Sequence, residues 1–350
     1  MPTQKPKLMI VKLAAIGDVA LAIKATRAFS ERLSRECEVN WVLDKAFEQM
    51  VIKLTQGISK LSFQFHHVDS KALFQGDFST KLNIAIQLLL LTQKIKPDCV
   101  VLLHRDWRYL VPLRLGFGKR LIHISREKRH EYDIYLDALI EAARDLGIYQ
   151  DHNHSTGKIR THKTNSSAVN VGVLIGGGRN QKGSFAEKRW PHLFPFLEQL
   201  MLESRKIVTL FGGSEDVKFG NEIMEKAAQM GWETQRIINR VGQLQLEDLP
   251  DEFKNLDVFV SVDSGLAHLA AASMTKESQT IITLFGPTDP HGWMPRTDNA
   301  HSFYFYKKQN CSPCYQNDGN FRKCLYQGED FQKCMKAISP LEVFEKVLAC

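Results

Sequence analysis

The chain has 350 residues, of which 43% are hydrophobic and 24% charged, the balance of a folded globular protein. This length exceeds one ordinary core and accommodates two domains. The net charge of +7 favours anionic partners such as a nucleotide diphosphate, a phosphorylated glycan or a membrane surface, while scattered solvated lysines are the simpler interpretation. No dense basic stripe interleaved with aromatic residues indicates a nucleic-acid partner.

Hydrophobic segments are too short to predict a membrane-spanning helix. The best candidate is IAIQLLLL, at residues 84–91. The first residues, MPTQKPKLMIVKL, lack the long apolar core and the small-residue cleavage site of a signal peptide. We therefore expect a cytoplasmic protein.

The first half alternates short apolar runs with helical periodicity, which predicts a parallel sheet covered by helices. Strands are predicted over residues 7–13, 38–43, 61–65, 98–103 and 120–124. Helices are predicted over residues 18–34, 79–95 and 132–146. A polar stretch, residues 149–167, follows and is the best candidate for a linker.

The second half restarts the pattern. Strands are predicted over residues 169–175, 206–211, 257–262 and 279–285, and helices over residues 191–203, 215–230, 246–254 and 265–273. The fold class is therefore α/β, with two doubly wound domains at residues 1–160 and 168–350. Two such domains place a ligand cleft at the carboxyl ends of their strands.

Asp18 lies where the first predicted strand turns into the first helix. Aspartate is a preferred N-cap residue, so a structural role is one interpretation. The other is chemical, because a carboxylate at the carboxyl end of a strand faces a ligand cleft. There it can take the proton of a hydroxyl that attacks a glycosyl carbon.

A glycine-rich segment, GGGRNQKGSFAEKRWP, follows the first strand of the second half. The glycines let backbone amides approach a ligand, while Ser184, Lys188 and Arg189 offer a hydroxyl and positive charge to a diphosphate. The GxxxxGK[ST] pattern of a P-loop is absent. A glycine-rich surface loop is the alternative.

The segment DVFVSVDSGLAHLAAA joins a buried strand to a helix of small residues. Asp263, Ser264 and Gly265 occupy the junction, where free backbone amides suit a phosphate. His268 lies on the first helical turn and can donate to the same group, although a lone helical histidine is more often structural. Glu215, after the FGG turn, can accept the ribose hydroxyls of a nucleotide or simply stabilise a helix start.

Four cysteines crowd into 24 residues with the spacing C-x2-C-x9-C-x9-C, and they are Cys311, Cys314, Cys324 and Cys334. In a cytosolic protein such crowding favours metal binding over disulfides. The first pair has the spacing of a metal knuckle, whereas the later spacings match no standard zinc finger. A structural zinc or iron site and four reduced thiols in a packed tail both remain open.

Taken together, these segments resemble glycosyltransferase family 9, which contains the ADP-heptose:lipopolysaccharide heptosyltransferases. The matching segments are IGDVALAIKATRAF, AEKRWP, VDSGLAHLAAA, FGPTDP, CSPCY and ISPLEV. Their order and spacing agree from about residue 8 to the end of the chain, so the resemblance covers nearly all of it.

The resemblance implies the GT-B architecture, in which two Rossmann-like domains face each other across a cleft. The acceptor is expected on the N-terminal domain and the nucleotide sugar on the C-terminal domain. Such enzymes usually invert the anomeric centre and need no metal for chemistry. Some relatives that modify proteins carry a four-cysteine metal finger, which keeps a protein acceptor open.

Individual roles also follow from the resemblance. It gives Asp18 the role of catalytic base. Donor binding is assigned to Ser184, Lys188, Glu215, Leu244, Asp263, Ser264, Gly265 and His268, with Leu244 near the adenine. Glu215 is the weakest transfer, because the stretch between it and Asp263 is longer than usual.

The function expected from the resemblance is transfer of heptose from ADP-heptose to a lipid-linked lipopolysaccharide core acceptor, with peripheral contact at the inner face of the cytoplasmic membrane. Basic residues of the first half suit an anionic acceptor, and they are Lys24, Arg27, Arg105, Arg108, Arg114, Lys119 and Arg120. One alternative is the same chemistry on another glycan or on serines of a surface protein. Another is a nucleotide-sugar-binding protein without activity. A dehydrogenase is disfavoured, because the first turn lacks G-x-G-x-x-G.

Overall fold

The structure, a computed structural model, describes residues 4–117, 120–125, 127, 129–151, 168–180, 183–315 and 324–350. The chain divides into two compact units, Met1–Gly157 and Lys158–Cys350. The boundary between them, and most of the predicted linker, lies outside the described residues.

The N-terminal unit contains one five-stranded parallel sheet with the strand order β3-β2-β1-β4-β5. Its strands are β1 (Lys7–Val11), β2 (Cys37–Leu43), β3 (Leu61–His67), β4 (Cys99–Leu102) and β5 (Arg120–His123). Its helices are α1 (Ile16–Glu31), α2 (Glu48–Thr55), α3 (Ser70–Gln75), α4 (Phe78–Ile95), α5 (Trp107–Gly116) and α6 (Glu131–Asp145).

Buried side chains on one face of this sheet form a core with α4 and α5. Met9 and Val11 of β1 pack there with Leu88 of α4 and Leu113 of α5, and all four are fully buried. Because side chains alternate along a strand, Ile10 points to the opposite face. The central strand is therefore apolar on both sides, as expected for a parallel sheet.

The C-terminal unit contains a six-stranded parallel sheet with the order β10-β9-β6-β11-β12-β13, and a two-stranded hairpin, β7-β8. The strands are β6 (Val169–Leu174), β7 (Arg179–Asn180), β8 (Gly183–Ser184), β9 (Lys206–Phe211), β10 (Ile237–Asn239), β11 (Val258–Val262), β12 (Thr280–Phe285) and β13 (His301–Tyr306). The helices are α7 (Leu193–Leu202), α8 (Val217–Gln229), α9 (Leu249–Lys254), α10 (Gly265–Ser273), α11 (Pro290–Trp293), α12 (Lys333–Lys336) and α13 (Pro340–Leu348).

Three phenylalanines hold the middle of the C-terminal sheet to α9. The rings of Phe211, Phe253 and Phe259 have centroids 4.9 to 5.8 Å apart. Gly172 of β6 lies against them, and a Cβ there would come 2.4 Å from Leu256 and 2.9 Å from Phe259. A side chain at position 172 would collide with these residues, so only glycine lets them pack directly against the backbone of β6.

The α/β class and the parallel sheets are confirmed, and each of the nine predicted strands forms within two residues of its expected bounds. The strands that sequence patterns missed, β10 and β13, are the two edges of the C-terminal sheet, together with the short hairpin. Edge strands receive less burial, so their apolar pattern is weaker. No helix among the described residues is both long and apolar enough to cross a bilayer.

Candidate active site

Asp18 lies in the first turn of α1, directly beyond the carboxyl end of β1. The N-cap of α1 is Ala15, and no side chain caps the helix, so Asp18 does not serve as the N-cap. Its carboxylate instead accepts a hydrogen bond from Lys12, with 3.0 Å between Nζ and Oδ2. The Lys12 side chain is 3% exposed and that of Asp18 is 32% exposed. A buried cation thus holds a carboxylate that solvent can reach.

Neutral and paired groups surround the Lys12–Asp18 pair. His104, after β4, accepts a hydrogen bond from the Leu13 amide at 2.9 Å. Burial, and then the charge of Lys12, hold the pKa of His104 well below its ordinary value. The Tyr135 ring lies 5.3 Å from the Lys12 ammonium, and burial raises the pKa of its hydroxyl. Lys12 therefore contacts the Asp18 carboxylate and lies near a neutral imidazole and a neutral phenol.

Several basic residues expected to face an anionic acceptor already have partners. Arg105 forms a two-pronged ion pair with the buried Glu131, at 2.9 and 3.1 Å. Arg108 pairs with Asp106, and Arg120 with Glu141 and Asp145. Lys24 is buried within α1, and Lys119 lies outside the described residues. Arg114 stays exposed on α5.

The loops that carry the predicted donor residues leave the same edge of the C-terminal sheet. Strands β10, β9, β6, β11 and β12 are neighbours and parallel, so their carboxyl ends lie side by side. The loops that follow them hold, in that order, Leu244, Glu215, Gly176, Asp263 and Thr288. This edge is where open α/β sheets bind ligands.

Lys188 and Asp263 form a buried ion pair at this edge. The Lys188 ammonium donates to Asp263 Oδ2 at 2.7 Å and to the Asp263 carbonyl oxygen at 3.2 Å. Their side chains are 11% and 9% exposed. Burial alone would raise the pKa of the Asp263 carboxyl, but the charge and hydrogen bond of Lys188 outweigh it and bring this pKa below its ordinary value.

The glycine loop after β6 and the start of α10 lie against each other. Gly178 has a φ of +82°, and a Cβ there would be 3.8 Å from Ser264. Ser264 caps α10 and accepts a hydrogen bond from the Ala267 amide. Gly265 is the first helical residue, and His268 is buried one turn later. The amides of this helix start remain suited to an anion.

Glu215 and Leu244 lie farther along the same edge, on two loops that touch. Gly242 donates to the carbonyl oxygen of Gly212 at 3.1 Å, which joins the loop of Leu244 to that of Glu215. Glu215 is exposed and Leu244 half-buried. Ser184 belongs to the hairpin strand β8, and its side chain lies outside what the structure describes.

A second ion pair at this edge was not predicted. Asp216 is buried and accepts a hydrogen bond from Arg189 at 2.8 Å. Gly176 makes room for it, since a Cβ there would come 2.2 Å from Asp216 Oδ2. Asp216 therefore packs against the glycine loop, while its neighbour in sequence, Glu215, faces solvent.

Four cysteines, Cys311, Cys314, Cys324 and Cys334, line one small cavity together with Glu187 and Lys333. All four are free thiols. Burial raises the pKa of Cys314 and of Cys334 to about 11. As they stand, however, no three His, Cys, Asp or Glu side chains in the described part of the chain are close enough together to hold a metal ion.

The sequence pattern of glycosyltransferase family 9 (heptosyltransferase) matches residues 130–324, more than half of the chain. The chain belongs to glycosyltransferase family 9. This membership confirms the family and the glycosyltransferase class predicted from the segments around Asp18, Lys188 and Asp263. Of those segments, the matched range contains Lys188 and Asp263 but not Asp18.

Among curated proteins, lipooligosaccharide heptosyltransferase 2 of Haemophilus influenzae is 33% identical over 114 residues, which are 32% of this chain and 31% of that protein. The chain thus spans about a third of the length of the curated relatives it matches. Among solved structures, the ADP-heptose lipopolysaccharide heptosyltransferase II of Escherichia coli is 18% identical with a TM-score of 0.65, covering 98% of both chains.

A further solved structure, the E. coli heptosyltransferase WaaC with ADP-2-deoxy-2-fluoro heptose, is 17% identical with a TM-score of 0.61. That match covers 98% of this chain and 99% of the other. At sequence identities this low, the structural matches establish the fold alone. That fold confirms the GT-B class for this family 9 member.

The structure brings Lys188, Asp263, Ser264, Gly265 and His268 into one cluster, and it places Glu215 and Leu244 on neighbouring loops of the same sheet edge. Sequence reasoning missed Lys12 and Asp216. The sequence shows a lysine six residues before Asp18 and an aspartate directly after Glu215. Neither spacing, however, indicates which of these side chains is buried.

Proposed function

We propose that this family 9 protein transfers heptose from ADP-heptose to a hydroxyl of a lipopolysaccharide core acceptor and inverts the anomeric centre. Two solved structures with the same fold support the donor, since one is an ADP-heptose heptosyltransferase and the other holds ADP-2-deoxy-2-fluoro heptose. The names of the curated relatives support the acceptor. The observation that carries the catalytic part is the reachable Asp18 carboxylate held by buried Lys12.

The proposed reaction is a single displacement. Asp18 takes the proton of the acceptor hydroxyl as its oxygen forms a bond to the anomeric carbon of the donor. The bond from that carbon to the phosphate oxygen breaks, and ADP leaves with the electron pair. Because attack and departure occur on opposite faces of the carbon, the anomeric configuration inverts.

Negative charge grows on the diphosphate as it leaves, and the C-terminal sheet edge offers compensation. An ammonium group has three N–H donors, and Lys188 uses two of them on Asp263. Among the described residues nothing else accepts from this ammonium group, and we assign its third donor to a phosphate oxygen. Together with the amides at the start of α10 and His268, it would stabilise the transition state more than the ground state.

The remaining donor contacts belong to the same proposal. Glu215 accepts hydrogen bonds from the ribose hydroxyls, Leu244 packs near the adenine, and Ser184 contacts the diphosphate. The touching loops of Glu215 and Leu244 support a shared role at one end of the nucleotide. The chemistry needs no cofactor, because Asp18 supplies the base and Lys188 the charge.

For the cysteine cavity we propose a structural zinc or iron site, on the crowding of the four cysteines and the knuckle spacing of the first pair. The described side chains would have to move closer together to hold an ion. The site would hold the segment that places Tyr315, whose ring is 5.5 Å from the Lys188 ammonium. Metal analysis of the purified protein tests this assignment. An equimolar metal content, lost in Cys311→Ser with Cys314→Ser, would support it, and a metal-free wild type would leave four reduced thiols.

The decisive experiment measures ADP release from ADP-heptose with a truncated lipopolysaccharide acceptor. Asp18→Asn is expected to lower the rate by about 10² or more while donor binding is retained. Asp137→Asn is the matched control, because this aspartate is 58% exposed and pairs only at the surface. NMR of the product reports the anomeric configuration.

The outcomes separate the alternatives. Turnover of a UDP- or GDP-sugar but not of ADP-heptose would keep the mechanism and overturn the donor. Turnover only with a protein acceptor would overturn the lipopolysaccharide assignment. Donor binding without turnover in the wild type would instead indicate a nucleotide-sugar-binding protein.

A further inference from the structure

Helix α4 is apolar on two opposite faces. Its inner face buries Ile84 and Leu88 in the N-terminal core. Its outer face carries Phe78, Leu82, Ile86 and Leu90, each four residues after the last, with exposed fractions of 80%, 48%, 44% and 56%. Residues four apart form one ridge on a helix surface. An ordinary surface helix is polar on its outer side, so this ridge is unusual.

Helix α5 repeats the pattern. It buries Tyr109 and Leu113, while Trp107, Val111 and Leu115 form an outer row that is 69%, 46% and 74% exposed. The two helices meet where Gly116 approaches α4, since a Cβ there would come 2.3 Å from Thr92 and 3.1 Å from the Leu89 carbonyl. Along the chain, Leu115 precedes Gly116 and Leu90 follows Leu89, so each outer row includes a neighbour of this contact. We call the two outer rows together the α4–α5 ridge.

The charged side chains within α3, α4 and α5 are all basic, and the carboxylates beside them are N-caps. Within their bounds, α3, α4 and α5 contain no Asp or Glu and five basic residues, Lys71, Lys81, Lys94, Arg108 and Arg114. The carboxylates nearest in sequence, Asp69, Asp77 and Asp106, are the N-caps of these helices. In the described part of the chain, no ion pair engages Lys71, Lys94 or Arg114.

Lys94 also extends the ridge itself, because it lies four residues after Leu90. An open groove of about 500 Å³ borders the ridge there, between β3 and α4, and Ile86, Leu90 and Lys94 line it together with four other polar side chains of these two elements. This end of the ridge thus combines apolar side chains with a cation, which suits a surface where acyl chains meet anionic headgroups.

We propose that the α4–α5 ridge docks the chain on an anionic phospholipid surface. Phe78, Leu82, Ile86 and Leu90 enter the boundary between headgroups and acyl chains, and Trp107 takes the interfacial position that tryptophan favours. Lys71, Lys94 and Arg114 contact lipid phosphates. The helices lie in the plane of the surface and do not cross the bilayer. This inference rests on the proposed function, in which the acceptor is linked to a membrane. Its test measures vesicle binding and does not depend on turnover.

The test uses the full chain and vesicles of phosphatidylethanolamine with phosphatidylglycerol, compared with pure phosphatidylcholine, in a flotation assay. We expect binding to the anionic vesicles only. The triple variant Leu82→Ser, Ile86→Ser, Leu90→Ser should lower the partition coefficient at least about tenfold. The matched control, Leu202→Ser with Leu325→Ser and Leu341→Ser, replaces leucines that are 81%, 72% and 51% exposed in the C-terminal unit and should bind as the wild type does.

A charge pair of variants separates the two contributions. Lys94→Gln with Arg114→Gln should weaken binding about fivefold for each charge, and high salt should remove this difference. Lys218→Gln with Lys254→Gln, on helices of the C-terminal unit, is the control. Circular dichroism and the thermal midpoint confirm that each variant folds.

Three results would overturn the proposal. One is a wild type that does not bind anionic vesicles, and another is equal binding to both vesicle types. The third is a serine triple variant that binds as the wild type does. If sedimentation shows that the wild type self-associates and that the serine variant is monomeric with unchanged vesicle binding, the ridge is an interface between copies of the chain instead.

Discussion

The buried ion pair between Lys188 and Asp263 gives the sharpest prediction. Replacing Lys188 by methionine keeps most of the side-chain volume and removes the charge. Asp263, 9% exposed, then keeps a buried carboxylate without its cation. Breaking one partner of such a pair costs about 3–5 kcal/mol of unfolding free energy. The double variant Lys188→Met with Asp263→Asn removes both charges, so its loss should be about 1–3 kcal/mol, less than that of Lys188→Met alone.

The assay is urea unfolding fitted as two transitions, because the chain has two compact units. Lys254→Met is the matched control, since Lys254 and Asp251 pair at 3.1 Å but are 49% and 56% exposed. It should cost no more than about 1 kcal/mol. A loss this small for Lys188→Met would refute the argument. Donor affinity adds an independent readout, because the double variant should regain stability without regaining ADP-heptose binding.

The sign of the pH dependence follows from Asp263. Its pKa in the folded protein lies below the ordinary value of 3.8. The stabilisation is therefore fully present above that ordinary value and is lost as the pH falls through the lower folded pKa. In Lys188→Met the cation is gone and burial raises the pKa of the Asp263 carboxyl. The difference in unfolding free energy between wild type and Lys188→Met should therefore be largest at high pH and shrink as the pH falls through the raised pKa of the variant, before the wild-type carboxyl is protonated in strong acid.

Three further predictions concern glycine, leucine and cysteine. Gly176→Ala places a methyl group 2.2 Å from Asp216 Oδ2 and should cost about 1–3 kcal/mol in urea unfolding; an unchanged midpoint would contradict this close contact. Leu88→Ala should cost about 2–5 kcal/mol, whereas Leu90→Ala on the same helix should stay within about 0.5 kcal/mol, and equal losses would show that both faces are core. Burial raises the pKa of Cys314 to about 11, so in metal-free protein at pH 8 its alkylation, followed by mass spectrometry, should be roughly 100-fold slower than that of a free cysteine.

Sequence patterns predicted the central strands and the loops after them, because buried parallel strands are continuous apolar runs and the glycines and aspartates follow directly. The segments of Lys188 and Asp263 were assigned to one pocket, and the structure joins them by a hydrogen bond. The edge strand β13 was missed. Its sequence, HSFYFY, leaves Phe303 and Tyr304 partly exposed, so burial gives it no clear period.

Contacts between side chains far apart in the sequence could not be predicted from sequence patterns. The choice between Asp216 and Glu215 illustrates this, since both follow the same Gly-Gly turn. The structure turns Asp216 inward to Arg189, 27 residues away, and leaves Glu215 in solvent. The α4–α5 ridge was likewise hidden. Helical periodicity places Leu88 and Leu90 on opposite sides of α4, and only tertiary packing shows that Leu88 is the buried one.

One lysine–aspartate pair lies at the carboxyl end of each sheet, Lys12–Asp18 in the N-terminal unit and Lys188–Asp263 in the C-terminal unit. The two pairs differ in burial, and this difference suits them to different roles. Asp263 is enclosed with Lys188, so protonating it would leave a cation buried without compensation, and it suits a fixed anchor for the ammonium. The Asp18 side chain is 32% exposed, although that of Lys12 is only 3% exposed. Lys12 donates to Oδ2, and no described residue donates to Oδ1, so Oδ1 can receive a proton while the ion-pair contact is kept. A base needs both access and a retained partner, and of these two aspartates it is Asp18 that has them.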